Sequence, residues 1–550
     1  MKIFRLLVSS VCAVPLAATA LHAAVTISNA KTKNMSCMGG VCMPTGGNAN
    51  LNAGDLTSML ASSDVTVKSN ASAPDIGILD PLTWASSHRL TLDAYESIHV
   101  RATVAVEGTA GVTLITNDGG TGGDYTFSTT TSGAITFWDL NSSLVINGQS
   151  YALVSDVKTL ASDIAAHPNQ SFALSNDYDS SPDGTYGAPP VATTLAGTFE
   201  GLGHTISNLS VRTKIGVHIA GLFADIGASG TVRDIRLANA SMTARQAAGV
   251  GTLAAQNDGS ILNCDVSGTV SALESRVGGL AGSSGGKIVG SSAAVNVTAG
   301  KRSMAGGLVG FLTGGSIESS HASGNVKTDV QSRAGGLVGL VGPGTILNAS
   351  ASGAVVAGSG GGFLQIAGGL VGENQGTIEA SFASGIVTGS CCSTTEWTDE
   401  PGDAEVGGLV GENYGTIDNV YATGGSSIAP FVLNNGIPSV GGLIGGNGGK
   451  VSVSYSTGSV QNEAHVEFSG GLIGHDKSSP IKKSYWDFDT SGITDPSQGA
   501  GAPKNDRGIT GLTDTQLKSG LPAGFDPNVW GEDPNINNGW PYLLANPPQQ

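Results

Sequence analysis

Few residues of this chain are placed to do chemistry, and each candidate stands alone. Gly119-Gly120-Thr121-Gly122-Gly123-Asp124 matches the core of the calcium-binding G-G-x-G-x-D nonapeptide. There, aspartate oxygens from neighbouring turns meet on one ion, so working copies come in tandem. This copy is single, and no calcium is expected at it. Gly282-Ser283-Ser284-Gly285-Gly286 fits the G-x-S-x-G pattern of a nucleophilic serine, but without the strand, elbow and helix that expose the hydroxyl. No H-E-x-x-H occurs, so no zinc-peptidase site is expected. Glu373 and Glu412 hold the same place in LVGENQG and LVGENYG. Stacked carboxylates share a proton or bind a cation. Because no Arg, Lys or His recurs beside them in sequence, they are expected to be solvated corner residues. Asp487 and Asp489 of YWDFDTSG read as structural. The expectation is therefore no catalytic residue, no cofactor and no metal.

What recurs is a bland phrase: AGGLVGFLTGGSIESSHASGNV at 305–326, AGGLVGLVGPGTILNASASGAV at 334–355, AGGLVGENQGTIEASFASGIV at 367–387. A Leu opens each copy at Leu222, Leu253, Leu280, Leu308, Leu337, Leu370, Leu409, Leu443 and Leu472. A β-branched residue follows at Val232, Ile261, Ile288, Ile317, Ile346, Ile378, Ile417, Val451 and Ile481. A Ser/Thr-Gly-x-Val signal closes several copies, as at Ser323–Val326 and Ser352–Val355. Apolar patches of three to five residues are too short for helices and suit strands. Gly between them lets the chain turn. Three short strands and three turns make one coil, which cannot bury its inner face alone; stacked coils close a common core. The reading is all-β, with the Leu, Ile and Val side chains inside. Asn257, Asn374, Asn413 and Asn447 each stand four residues after the key Leu. They are expected to stack at a corner, where Asn tolerates left-handed backbone and amides bond along the axis; a glycan-binding ladder is the alternative.

The phrase GGLVGENQGTIEASFASG resembles the GLUG motif of bacterial secreted and surface proteins, including filamentous-haemagglutinin-like exoproteins. The segments 84–127 and 485–544 also resemble those exoproteins. The resemblance implies a right-handed parallel β-helix with short helical insertions and a C-terminal cap, and an adhesin-type role. The chain departs from the two-partner-secretion haemagglutinins, whose secretion domain carries N-P-N-G and N-P-N-L signatures: only DPN and HPN triplets occur here.

The rest of the chain frames this array. Residues 1–23, with Lys2, Arg5 and an apolar run to Ala18, read as a secretory signal peptide. Residues 24–150 read as an N-terminal cap and irregular coils, with strands at Leu90–Leu92, Ile98–Val100, Val104–Val106, Val112–Leu114 and Leu144–Ile146. Residues 151–215 read as a helix and loop insertion with a coil. The helix is SDVKTLASDIAAHPN, with Ser155 as its cap and Val157, Leu160 and Ile164 on one face. The array occupies 216–490. A tail, 491–550, carries a short helix near Asp514–Lys518, and its Trp530, Trp540, Tyr542 and Leu543 are expected to plug the open end of the stack. Cys37 and Cys42 are placed to close a small disulfide loop. The net charge of −17 excludes nucleic acid and anionic lipid as partners. No segment after the signal is long enough to span a membrane.

The functional expectation is an exported, non-enzymatic surface or secreted protein, extracellular or periplasmic, that binds a host cell, matrix or glycan receptor. Repeat insertions map to surface loops. Candidate contacts therefore lie in the insertions at 388–405 and 425–438: Cys391, Cys392, Trp397, Asp399, Glu400, Phe431 and Asn434. A polysaccharide-active enzyme and a structural spacer are the alternatives.

Overall fold

The computed structural model describes residues 24–245, 248–358, 365–390, 404–429, 438–462, 468–477 and 480–548. The chain is mostly β, in parallel sheets, and divides into two compact units at residue 150.

In the first unit, Ala24–Ser28 pairs in parallel with Ala49–Asn52 and Asp75–Ile78, and that sheet continues to Ile98–Val100 and Tyr125–Phe127. Leu82–Trp84, Thr103–Val106 and Ala134–Phe137 form a second parallel sheet. Val65–Lys68, Leu90–Asp93, Gly111–Ile115 and Ser143–Ile146 form a third. All five strand signals read from 90–146 fall in these sheets. The hairpin Met35–Met38 with Val41–Pro44 sets Cys37 opposite Cys42, and the two are disulfide-bonded. A helix at Ala53–Leu60, capped by Asn52, escapes the alternation pattern because its Ala53, Leu56 and Leu60 also face a core.

The second unit shows why the phrase repeats. Each copy is one coil, and equivalent residues lie in register on consecutive coils. Val232, Ile261, Ile288, Ile317, Ile346, Ile378, Ile417, Val451 and Ile481 pair in that order along one parallel column, here the isoleucine sheet. Leu253, Leu280, Leu308, Leu337, Leu370, Leu409, Leu443 and Leu472 stack likewise, each N–H bonding the next Leu carbonyl at 2.8–3.0 Å as far as Leu472. All eight are fully buried. The Ser/Thr-Gly-x-Val residues form a further column, where Val387 pairs with Ser426 in the copy that loses its Val. Val, Leu and Ile side chains that are fully buried contribute roughly 1.5–3 kcal/mol each.

Gly-Gly-Leu-Val-Gly encodes the tightest corner. Met304–Gly306 and its equivalents form the glycine sheet, and Val309–Leu312 and its equivalents form the valine sheet. The two sheets fold against one another across the key Leu. A Cβ on Gly306 would lie 2.1 Å from the Val309 carbonyl oxygen, and one on Gly310 would lie 2.4 Å from the Val277 nitrogen. Only glycine lets these backbones meet.

The left-handed corner lies elsewhere than the sequence suggests. Asn257, Asn374, Asn413 and Asn447 are strand residues. Positive φ falls instead two residues after the stacked isoleucine, at Asp234, Asn263, Ser319, Asn348, Ala380, Asn419, Val453 and Lys483. The helix Val157–Ala166 buries Val157, Leu160 and Ile164 as expected, but its cap is Asp156, which accepts from Thr159 N, and not Ser155.

The tail's aromatics do not plug the end of the stack. Ala500–Ala502 and Ile509–Leu512 first extend the valine and isoleucine sheets. The helix Asp514–Leu517 follows, with a Thr513–Gln516 capping box. The chain then turns back over the flank of earlier coils. Phe382, Tyr421 and Tyr455 stack on consecutive coils with ring centroids 4.8 and 5.1 Å apart. Trp530 and Phe525 cover them, Trp530 Nε1 donates to Asn419 Oδ1 at 2.8 Å, and Asn546 Nδ2 reaches Ala349 O at 3.0 Å. This outward aromatic ladder offers large apolar area for the tail's aromatics to cover.

Candidate functional site

The longest connections of the array leave from one corner. On four consecutive coils they join Val355–Ala357 to Gln365–Gly368, Val387–Ser390 to Ala404–Gly407, Ser426–Ala429 to Ser439–Gly441, and Val460–Asn462 to Phe468–Gly470. Their strands stack in register, so the points at which the insertions attach lie one above another. Cys391, Cys392, Trp397, Asp399, Glu400, Phe431 and Asn434 lie outside the described residues; the strands that carry their loops are in place.

Beside this corner, in the notch between the glycine and valine sheets, is a charged cluster. Glu373 and Glu412 pair in register on the valine sheet. They are not solvated: their exposures are 4% and 5%. The close approach that glycine permits brings the glycine sheet's side chains over them. Arg333 Nε ion-pairs with Glu373 Oε2, and Gln375 Nε2 donates to Glu373 Oε1 at 2.6 Å. Lys477 Nζ lies 3.0 Å from Glu412 Oε1 and 3.3 Å from Glu405 Oε1. The Tyr414 hydroxyl donates to Glu412. The basic partners absent from the neighbouring sequence come from other coils, 40 and 65 residues away.

Glu405 was not singled out by sequence, where it ends an insertion. It is 7% exposed, and its Oε2 has no hydrogen-bond partner. Burial, then the like charge of Glu412, pushes its carboxyl up to about 8 against the pull of Lys477. Burial would lower Lys477, but the charges of Glu405 and Glu412 outweigh it and hold the ammonium protonated. Burial and the Glu412 hydrogen bond push the Tyr414 phenol up to about 12. Glu405 and Glu412 thus share the Lys477 ammonium. Both are almost wholly covered, so their evident work is to tie the two sheets across the notch.

The asparagines do form a ladder. Asn374 Nδ2 donates to Asn413 Oδ1, Asn413 Nδ2 to Asn447 Oδ1, and Asn447 Nδ2 to Asp476 Oδ1, each at 2.8 Å. Asn257 Nδ2 donates to Ser284 Oγ at 2.9 Å. All four asparagines are fully buried. Ser284, the would-be nucleophile, is therefore a buried rung on a parallel strand. Asp124 Oδ1 accepts from Tyr125 N. Asp487 is buried, and its Oδ1 accepts from Asp489 N and Thr490 N. Among the described residues no three His, Cys, Asp or Glu are grouped to hold a metal ion, and no helix is long and apolar enough to cross a membrane.

Parallel coils of about thirty residues, closed by one Leu and one β-branched residue each, define a repeat protein whose unit is the coil. The model of the GLUG motif matches residues 302–327 and 402–428, and each match spans one coil from glycine sheet to Ser/Thr-Gly-x-Val column. The chain is a GLUG-motif repeat protein. It is also similar to halomucin of Haloquadratum walsbyi (strain DSM 16790 / HBSQ001), 36% identical over 138 residues. That stretch is 24% of this chain and 2% of halomucin, so the chain spans a small part of that relative.

Proposed function

We propose that this is an exported, non-enzymatic, haemagglutinin-like surface or secreted protein, an adhesin whose array winds as a right-handed parallel β-helix. The observation that carries the reading is the corner at which the strands flanking four insertions stack on consecutive coils beside the notch. Coils stacked about 4.8 Å apart set the four points of attachment close together. The GLUG repeats and the likeness to halomucin support a surface or secreted location. The right-handed twist of strands favours the proposed hand. The basic and apolar N-terminus, residues 1–23, supports export through a cleaved signal.

The test is a cell, matrix and glycan binding array with the mature chain and with variants lacking 391–403 or 430–437. Saturable attachment lost in either variant supports the reading; attachment unchanged in both rejects the loop assignment. A polysaccharide-active enzyme is the second reading, favoured by the Glu405–Glu412 pair. Turnover of polyuronates or host glycans, abolished in Glu405→Gln and Glu412→Gln, would establish it. A structural spacer predicts neither binding nor turnover.

A further inference from the structure

Adjoining the notch, which Gln375 and Tyr414 reach through Glu373 and Glu412, the turns from the valine sheet to the isoleucine sheet form an open groove of about 520 Å³. Its floor is the backbone of Gly344, Gly376, Gly415 and Gly449 on four consecutive coils. A Cβ on Gly376, Gly415 or Gly449 would lie 2.1–2.2 Å from the carbonyl oxygen of the glycine one coil earlier. The floor cannot carry side chains, so the trough is a consequence of how the coils stack. One wall is Gln375 and Tyr414; the other is Thr345, Thr377, Thr416 and Lys450, which pair in register. Hydroxyl and ammonium groups thus recur at the coil spacing of about 4.8 Å, over about 14 Å from first to last.

Tyr414 is built as a platform. The residue is 51% exposed, and its ring is anchored by the hydroxyl bond to Glu412. It lies against Gly448 of the next coil, where a Cβ would stand 3.2 Å from the ring's Cδ1. Lys477 Nζ sits 5.5 Å from the ring centroid.

We propose that this groove binds a linear polysaccharide, with Tyr414 stacking on the apolar face of one sugar ring and the threonine ladder, Gln375 and Lys450 taking its hydroxyls. A pyranose has one apolar face and a polar rim, which is what an aromatic platform beside a row of hydroxyls complements. An extended peptide is a poor fit, because the groove offers no free strand edge. Thr377 N, Thr416 N and Lys450 N already bond Gly344 O, Gly376 O and Gly415 O at 2.8–3.0 Å. Besides Tyr414, its apolar side chains are Pro343 and Pro480. Lys450 sets an exposed ammonium at its downstream end on a chain of net charge −17, which favours sugars that carry carboxylates. None of the strand residues that flank the insertions lines the groove, and the inference stands whether or not those loops mediate attachment.

The experiment is titration of the mature chain with a soluble neutral β-glucan and with a polyuronate, by calorimetry and affinity electrophoresis. Saturable binding to at least one is expected. Tyr414→Ala should weaken it at least tenfold, and Thr416→Val about threefold. Gly448→Leu should weaken it to the same degree as Tyr414→Ala, because the added side chain lifts the ring and leaves Tyr414 in place. If Tyr414→Ala lowers the melting temperature, Gly448→Leu decides. Polyuronate binding that falls in Lys450→Gln and with added salt identifies the acidic class; glucan binding indifferent to both identifies the neutral one. Deleting 391–403 should leave groove binding intact, so loss of cell attachment and loss of groove binding are told apart. Binding to neither polymer, or binding undiminished in both Tyr414→Ala and Gly448→Leu, overturns the proposal.

Discussion

Replacing Asn413 by Ala tests whether the asparagine ladder holds the coils together. Asn413 makes three side-chain hydrogen bonds: to Asn447 Oδ1 at 2.8 Å, from Asn374 Nδ2 at 2.8 Å and from Gly415 N at 3.2 Å. Its removal strands one donor, Asn374 Nδ2; Gly415 N keeps a bond to Asn374 O at 3.1 Å, and Asn447 Oδ1 keeps one from Gly449 N. A buried donor left unsatisfied costs about 1–3 kcal/mol, and the variant should lose about that much. Asn374→Ala strands Gly376 N, because Asn413 Oδ1 retains Gly415 N, and should lose a similar amount. The double variant should cost less than the sum, since Asn374→Ala removes the donor that Asn413→Ala strands. Repeat arrays open locally, so the readout is amide hydrogen exchange across 365–456, with thermal melting as support. Costs below about 1 kcal/mol in both single variants would refute the ladder as a source of stability. The asparagines would then serve only as turn residues.

Other perturbations follow from the same contacts. Glu405 has a folded carboxyl near 8 against an ordinary 4.5. The folded state therefore binds more protons than the unfolded chain between those values, and stability should fall as pH rises from about 4.5 to about 8. Glu405→Gln should remove this slope relative to the parent protein and raise the melting temperature at pH 9; a parallel pH profile in the two would contradict the burial of that carboxyl. Gly310→Ala drives a Cβ within 2.4 Å of the Val277 nitrogen and should cost at least 1–3 kcal/mol by overpacking, read by denaturant titration. Trp530→Ala should release the tail from Tyr421 and Tyr455 at about 3–5 kcal/mol of local stability. Limited proteolysis should then cut within 513–548 while the coils around Leu370 and Leu409 stay protected.

Much of the candidate site was hidden from the sequence for one reason. In a coil of about thirty residues, side chains that touch across the notch are far apart in the chain. Glu373 and Glu412 stood out as equivalent positions, but their cations, Arg333 and Lys477, lie on other coils. Without those partners visible, solvation was the natural expectation. Glu405 looked like the end of an insertion, although it opens a strand turned toward Glu412. The left-handed corner was misplaced because Asn serves both conformations: at Asn348 and Asn419 it adopts positive φ, and at Asn374 and Asn413 it bonds along the axis. The tail's aromatics announced burial but not where. Their landing place, the ladder of Phe382, Tyr421 and Tyr455, exists only once the coils are stacked.

By itself, the sequence determined the rungs. Leu, the β-branched residue and the glycines recur at intervals that close one coil, and the need to bury every inner face then leaves register-matched stacking as the outcome. That is a local rule applied many times over, so it is legible without coordinates. Only the tertiary structure decided what the outside of the stack does: which charges meet in the notch, where the tail lies, and that glycines above glycines open a trough beside Tyr414. Those features arise between coils, from how closely neighbouring backbones approach, and no single repeat contains them.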